Sequence, residues 1–158
     1  MIRKFLLWAA LLVVFGVNQA QAHCEIPCGV YDDGARFTSL MEHVTTIEKS
    51  MKKIKELSAA AKPDYHTISR WTANKEKHAN EIQHIASQYF LTQRVKAPGE
   101  GSTEAAKEDY AKHTLFLHQI LVAAMKTKQS LDLVHVKMLR DLTESYKAHY
   151  FKKHGHTH

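Results

Sequence analysis

Residues 37–57 read FTSLMEHVTTIEKSMKKIKEL, and the fold class follows from where their apolar side chains fall. Phe37, Leu40, Met41, Val44, Ile47, Met51, Ile54 and Leu57 recur three or four residues apart, the spacing of one helical stripe. The positions between them carry Thr, Glu and Lys, so the opposite face suits water. Asp32 or Asp33 can cap the start of this long amphipathic helix. Lys62-Pro63 ends it, because proline disfavours helical geometry in the residue before it.

The same period continues down the chain. Asp64 is positioned to cap a second helix whose stripe is Ile68, Trp71, Lys75, His78, Ile82, Ile85 and Tyr89. Lys75 and His78 are polar residues where a core seam calls for apolar ones. Ala97-Pro98-Gly99-Glu100-Gly101-Ser102 reads as a loop, and Ser102 with Glu104 opens a third helix with the stripe Tyr110, His113, Leu117, Ile120, Leu121, Ala124 and Met125. A short link near Gln129-Ser130 leads to a fourth stripe of Leu131, Val134, Met138, Leu142, Ser145 or Tyr146, and His149. Strand-like alternation and fixed-period repeats are absent. Four helices with short links predict an all-α, antiparallel up-down-up-down four-helix bundle. The Met and aromatic residues of the stripes are expected in its core.

Ahead of the helices the chain changes character. Arg3 and Lys4 precede an apolar run from Phe5 to Val17, and Ala20-Gln21-Ala22 has the form of a leader-peptidase site. Residues 1–22 are therefore expected to be a removable secretory signal peptide, and 23–158 a single domain. The apolar run is shorter than the roughly 20 residues a membrane span needs. No stable membrane anchor is expected after cleavage, and the protein is expected to be exported, periplasmic or secreted. The chain has 22 Lys and Arg against 16 Asp and Glu. Losing the leader removes two basic residues and no acidic one, so a mild positive surplus remains, which favours encounter with a small anion. Its basic residues are scattered, and no nucleic-acid-binding motif is present.

The expected cut exposes HCEIPCGVYDD, residues 23–33, which holds both Cys of the chain. With His23 terminal, its α-amine and the Cys24 amide nitrogen can close a five-membered ring through one metal ion. The Cys24 amide nitrogen and thiolate can close a second. Cys28 can add another thiolate as the segment folds back, with Pro27 restricting its conformations. Two nitrogens and two sulfurs in a plane suit Ni(II) or Cu(II) rather than tetrahedral zinc, and the His23 imidazole is left to approach from above. A Cys24–Cys28 disulfide is the competing reading for an exported protein, but it gives no reason for His23 to come first. A carrier binding nickel or copper without turnover is another, to which the His-rich tail at residues 149–158, with His149, His154, His156 and His158, lends some support. That tail reads first as a frayed end. His66, His84, His113 and His118 read as surface or satisfied core groups.

HCEIPCGVYDD resembles the amino-terminal hook of the nickel-containing superoxide dismutases, with the pattern His-Cys-x-x-Pro-Cys-Gly-[Val/Ile]-Tyr, and every defining position matches. The likeness extends more loosely through RWTANKEKHANEIQHIASQYFLTQRVK, residues 70–96. The resemblance implies an enzyme that disproportionates superoxide to dioxygen and hydrogen peroxide by Ni(II)/Ni(III) cycling, with one nickel ion per subunit, on a four-helix bundle assembled as a homohexamer. It gives His23 the amine and axial imidazole, Cys24 the amide nitrogen and a thiolate, and Cys28 the second thiolate. Pro27, Gly29 and Val30 shape the hook. Tyr31 would lie over the open face and order superoxide or water. Tyr89 resembles a second tyrosine near the site, and Glu42 a partner of the His23 imidazole. A basic residue of some relatives falls at His78.

Overall fold

The computed structural model describes residues 33–154. The leader at 1–22, the hook at 23–31 and the last four residues of the tail lie outside the described residues. Four helices follow in order: α1 (Asp33–Ser58), α2 (Tyr65–His84), α3 (Glu104–Gln129) and α4 (Leu133–His154). The chain of α2 runs on, without a break, into a π-helical segment at Ile85–Arg94. Each helix packs chiefly on two others, α1 on α2 and α4, and α3 on α2 and α4. The all-α four-helix bundle expected from the periodicity is the fold.

The start signal of α2 acts as read, and Asp32 lies outside the described residues. Asp64 caps α2 by accepting the Thr67 amide at 3.1 Å. At α3 the cap is Thr103 rather than Ser102. The Ser102 amide donates to the Gly99 carbonyl at 3.2 Å to close a turn, leaving Thr103 Oγ1 to accept the Ala106 amide at 3.2 Å. Gly101 sits in that turn at φ 80°, where a side chain would be strained. The link to α4 is short, and Asp132 accepts the Val134 amide at 3.0 Å.

The expected stripe of α1 is its buried face. Phe37, Leu40, Val44, Ile47, Met51 and Ile54 are buried, while Met41 and Leu57 are half-buried at its border. In α2 and its extension Ile82, Ile85 and Tyr89 are buried as expected, joined by Ala79, Ala86 and Phe90. The extension uses bonds five residues back, such as Val95 N–H to the Phe90 carbonyl at 2.9 Å, and both Tyr89 and Phe90 end up inside.

The fourth stripe differs from expectation. Val136, Leu139, Thr143, Tyr146 and Tyr150 face inward, whereas Val134 and Met138 are 51 % and 43 % exposed. Helix α4 carries apolar residues on two faces, and the inward choice goes to the face with two tyrosine rings, which have the most apolar area to bury. Tyr146 and Tyr150 join Phe37 and Phe90 in one aromatic cluster, with Phe37 and Phe90 centroids 4.7 Å apart. Met125 of the third stripe is likewise exposed, while Ala123 and Ala124 beside it are buried. Helix α4 runs to His154, so His149 belongs to a helix and not to a frayed end.

Both polar anomalies of the second stripe have partners. Lys75 is 3 % exposed, and its Nζ donates to the carbonyls of Thr127 and Lys128 at 2.8 and 2.6 Å. A buried cation of α2 thus satisfies the C-terminal carbonyls of α3, at the negative end of that helix dipole. His78 meets His43 of α1, Nδ1 to Nδ1, at 2.7 Å.

Candidate metal centre and the bundle end that anchors it

His23, Cys24, Pro27, Cys28, Gly29, Val30 and Tyr31 lie outside the described residues, which begin two positions after Tyr31. What the structure defines is the end of the bundle at which α1 begins. Asp33, the first residue of α1, is 5 % exposed, and its carboxylate accepts hydrogen bonds from three side chains of other elements. Tyr89 Oη donates to Oδ1. Tyr150 Oη donates to Oδ2 at 2.7 Å, and Arg94 Nη2 reaches the same oxygen at 2.5 Å. Arg94 Nε also donates to Tyr150 Oη at 3.1 Å. Elements α1, α4 and the π-helical segment therefore meet on one carboxylate.

Sequence spacing explains how they meet. Tyr150 stands four residues before the end of α4, and Arg94 is the last residue of the π-helical segment, so antiparallel helices bring both to the start of α1. Burial alone would raise the Asp33 carboxyl. The hydrogen bonds from Tyr89, Tyr150 and Arg94, with the Arg94 charge, outweigh it and hold the carboxyl below the usual carboxylate range. Burial and the bond to Asp33 push the Tyr150 phenol up to about 12 and raise Tyr89 further. Both hydroxyls keep their protons at neutral pH and act as fixed donors. Arg36 lies over the Tyr89 ring, 4.9 Å from its centroid, adding a second guanidinium at this end.

Of the residues singled out in the sequence, Tyr89 is placed at the start of α1, against Asp33. Glu42 is not. It is exposed on α1, nine residues beyond Asp33 and so about 14 Å along the axis. There it lines a groove of about 580 Å³ with Thr38, Met41, His43 and His78. Burial lowers the proton affinity of both imidazoles in that groove. His78 and Lys77 press His43 further in the same direction against Glu81 and Glu42, and Lys77 does so to His78 against Glu81. At neutral pH one Nδ1–H donates to the other Nδ1.

Asp33, Arg94 and Tyr150 escaped the sequence reading as site residues. Asp33 carried the signature of a cap, and nothing in local sequence tells a cap from an anchor when the partners lie 56 to 117 residues away.

A family model described as nickel-containing superoxide dismutase matches residues 18–154, a span that takes in the hook segment and all four helices. No curated protein and no solved structure matches the chain. Bundle, hook sequence and matched span agree, and the chain belongs to the nickel-containing superoxide dismutase family, enzymes that use nickel to disproportionate superoxide.

Proposed function

We propose that the nickel of this dismutase is held by the segment following residue 22, through the His23 amine and imidazole, the Cys24 amide nitrogen and thiolate, and the Cys28 thiolate. The observation that carries this reading is the donor set. The chain has only two Cys, both lie in the hook, and no described residue can supply a thiolate. Thiolate and amidate donors fit nickel that must change oxidation state, whereas the carboxylates and imidazoles of the bundle do not. When bound, nickel there would supply the one-electron Ni(II)/Ni(III) couple by which two superoxide ions and two protons become dioxygen and hydrogen peroxide.

The chain's own residues bind, orient and anchor. Tyr31 is positioned by its place in the hook to order superoxide or water at the open face. Pro27, Gly29 and Val30 set the shape of the loop. Asp33, clamped two residues after Tyr31, fixes where the hook leaves the bundle. Arg36 and Arg94 put positive charge at that end, which favours the approach of an anion. Tyr89 supports the anchor through Asp33. Glu42, exposed in the groove with His43 and His78, would engage the His23 imidazole only if the hook reaches along α1, or if a neighbouring subunit supplies it.

The proposal extends to processing and assembly. Residues 1–22 act as a removable export signal, the site of action is the periplasm or the exterior, and subunits with one nickel each associate as a homohexamer. The resemblance of the hook implies this assembly, and exposed Leu115, Val134 and Met138 on α3 and α4 offer apolar surface for it.

The ligand assignment is tested with Cys24→Ser and Cys28→Ser. A hydroxyl does not replace thiolate charge at neutral pH, so each variant should stay helical, lose stoichiometric nickel and lose acceleration of superoxide decay. Near-normal turnover in either variant would refute the assignment. Full nickel content without turnover in the unaltered protein would point to a carrier.

A further inference from the structure

A second set of metal-ligating groups lies at the same end of the bundle and shares no residue with the hook. Asp109 and His113 stand one turn apart on α3, and His149 faces them from the last turns of α4. His113 Nε2 is 3.7 Å from Asp109 Oδ2, and His149 Nε2 is 3.4 Å from Asp109 Oδ1. One donor atom from each residue lies within 4.8 Å of the other two. Nitrogen and oxygen ligands about 2.0–2.2 Å from one tetrahedral ion are separated by about 3.3–3.6 Å, so small side-chain adjustments close the set.

The surroundings orient the donors. His113 Nδ1 lies 3.4 Å from the Tyr146 hydroxyl, which leaves Nε2 for the Asp109 side, the arrangement by which an outer partner fixes a ligating imidazole. The His113 and His149 rings pack with centroids 4.7 Å apart. His149 Nε2 is buried and has no hydrogen-bond partner among the described residues. A cavity of about 180 Å³ opens beside Asp109 and His113, giving room for a solvent ligand in a fourth position.

We propose that Asp109, His113 and His149 form a second site, for a borderline divalent cation of the zinc class, which ties the start of α3 to the end of α4. Two imidazoles and a carboxylate are the donors such ions take, and the absence of thiolate and amidate sets the site apart from a redox nickel centre. The site lies next to the Asp33 anchor, since the Tyr150 ring packs against His113 at 6.0 Å. An occupied site would therefore hold the bundle end from which the hook emerges.

The test uses the full chain from His23 carrying Cys24→Ser and Cys28→Ser, which disable the hook, and His154→Asn, His156→Asn and His158→Asn, which disable the tail. Cobalt(II) chloride is titrated and followed by visible absorption, and zinc chloride by calorimetry and thermal unfolding. We expect one equivalent bound, the intense absorption of four-coordinate cobalt, and a Tm raised by several degrees when zinc is in large excess over its Kd. Asp109→Asn and His149→Gln should each weaken binding at least tenfold while helicity by circular dichroism is kept. No bound equivalent in the helical protein would overturn the proposal and leave the triad a plain ion pair. So would equal affinity in the two variants.

Discussion

The Tyr150 hydroxyl donates to the Asp33 carboxylate at 2.7 Å, joining the end of α4 to the first residue of α1. Arg94 and Tyr89 complete the junction, so Asp33, two residues after Tyr31, is tied to three side chains of other elements. The first residue of α1 is thereby held to the ends of α4 and of the π-helical segment.

Asp33→Asn should be costly because it leaves Arg94 without its counter-charge. Arg94 is 30 % exposed, so the loss should be about 2–3 kcal/mol, below that of a fully buried pair. Tyr150→Phe removes one donor of several and should cost about 1 kcal/mol. Urea unfolding followed by circular dichroism measures both, and losses below about 0.5 kcal/mol for Asp33→Asn would mean that the junction does not hold the fold. The anchor also has a pH signature. The folded carboxyl is depressed below its unfolded value of 3.8, so its stabilisation is present above that pH and lost as pH falls through the folded value. Asp33→Asn should remove this part of the acid sensitivity.

Lys75→Met keeps an unbranched chain one atom shorter and deletes its charge. It leaves the Thr127 and Lys128 carbonyls without their donor, at an expected cost of about 1–3 kcal/mol. Amide exchange should quicken in the last turn of α3 and stay unchanged at the start of α1. Unaltered exchange in that turn would show that water takes over the role of the ammonium.

The His43–His78 pair predicts weakening in mild acid. Both imidazoles are depressed below 6.5 in the folded protein, so the unfolded chain takes up protons first. Stability is complete above about pH 6.5 and is lost as pH falls through the folded values. Tm measured from pH 7.5 to 5 should fall in the native protein. His78→Asn should flatten that slope, and an equal slope in the variant would assign the sensitivity elsewhere.

Much of this was legible in the sequence because helical periodicity and local capping depend on neighbours within one turn. Phe37 to Ile54 and the Asp64 cap follow from such neighbours. The phase of α4 was not legible, since Val134 and Met138 are as apolar as Val136 and Leu139, and it is the packing of Tyr146 and Tyr150 against Phe37 and Phe90 that turns the face of the second pair inward. Lys75 and His78 stood out as polar residues on a seam, but their partners are brought near by tertiary structure. Asp109 and His113 show the spacing of a chelating pair, four residues apart on one helix. The third donor, His149, comes from another helix and was masked by the His-rich run that follows it.

The central claim is that the amine of His23 is itself a nickel ligand, and one comparison tests it most directly. Two proteins are prepared, one beginning at His23 and one with a single Ala before it, each verified by mass spectrometry and assayed for nickel content, helicity and superoxide decay. The extension turns the amine into a peptide nitrogen, which must lose a proton before it binds, and crowds the metal with extra chain. The account predicts full activity and stoichiometric nickel for the first protein, and equal helicity without activity for the second. Equal dismutase activity in both would contradict it.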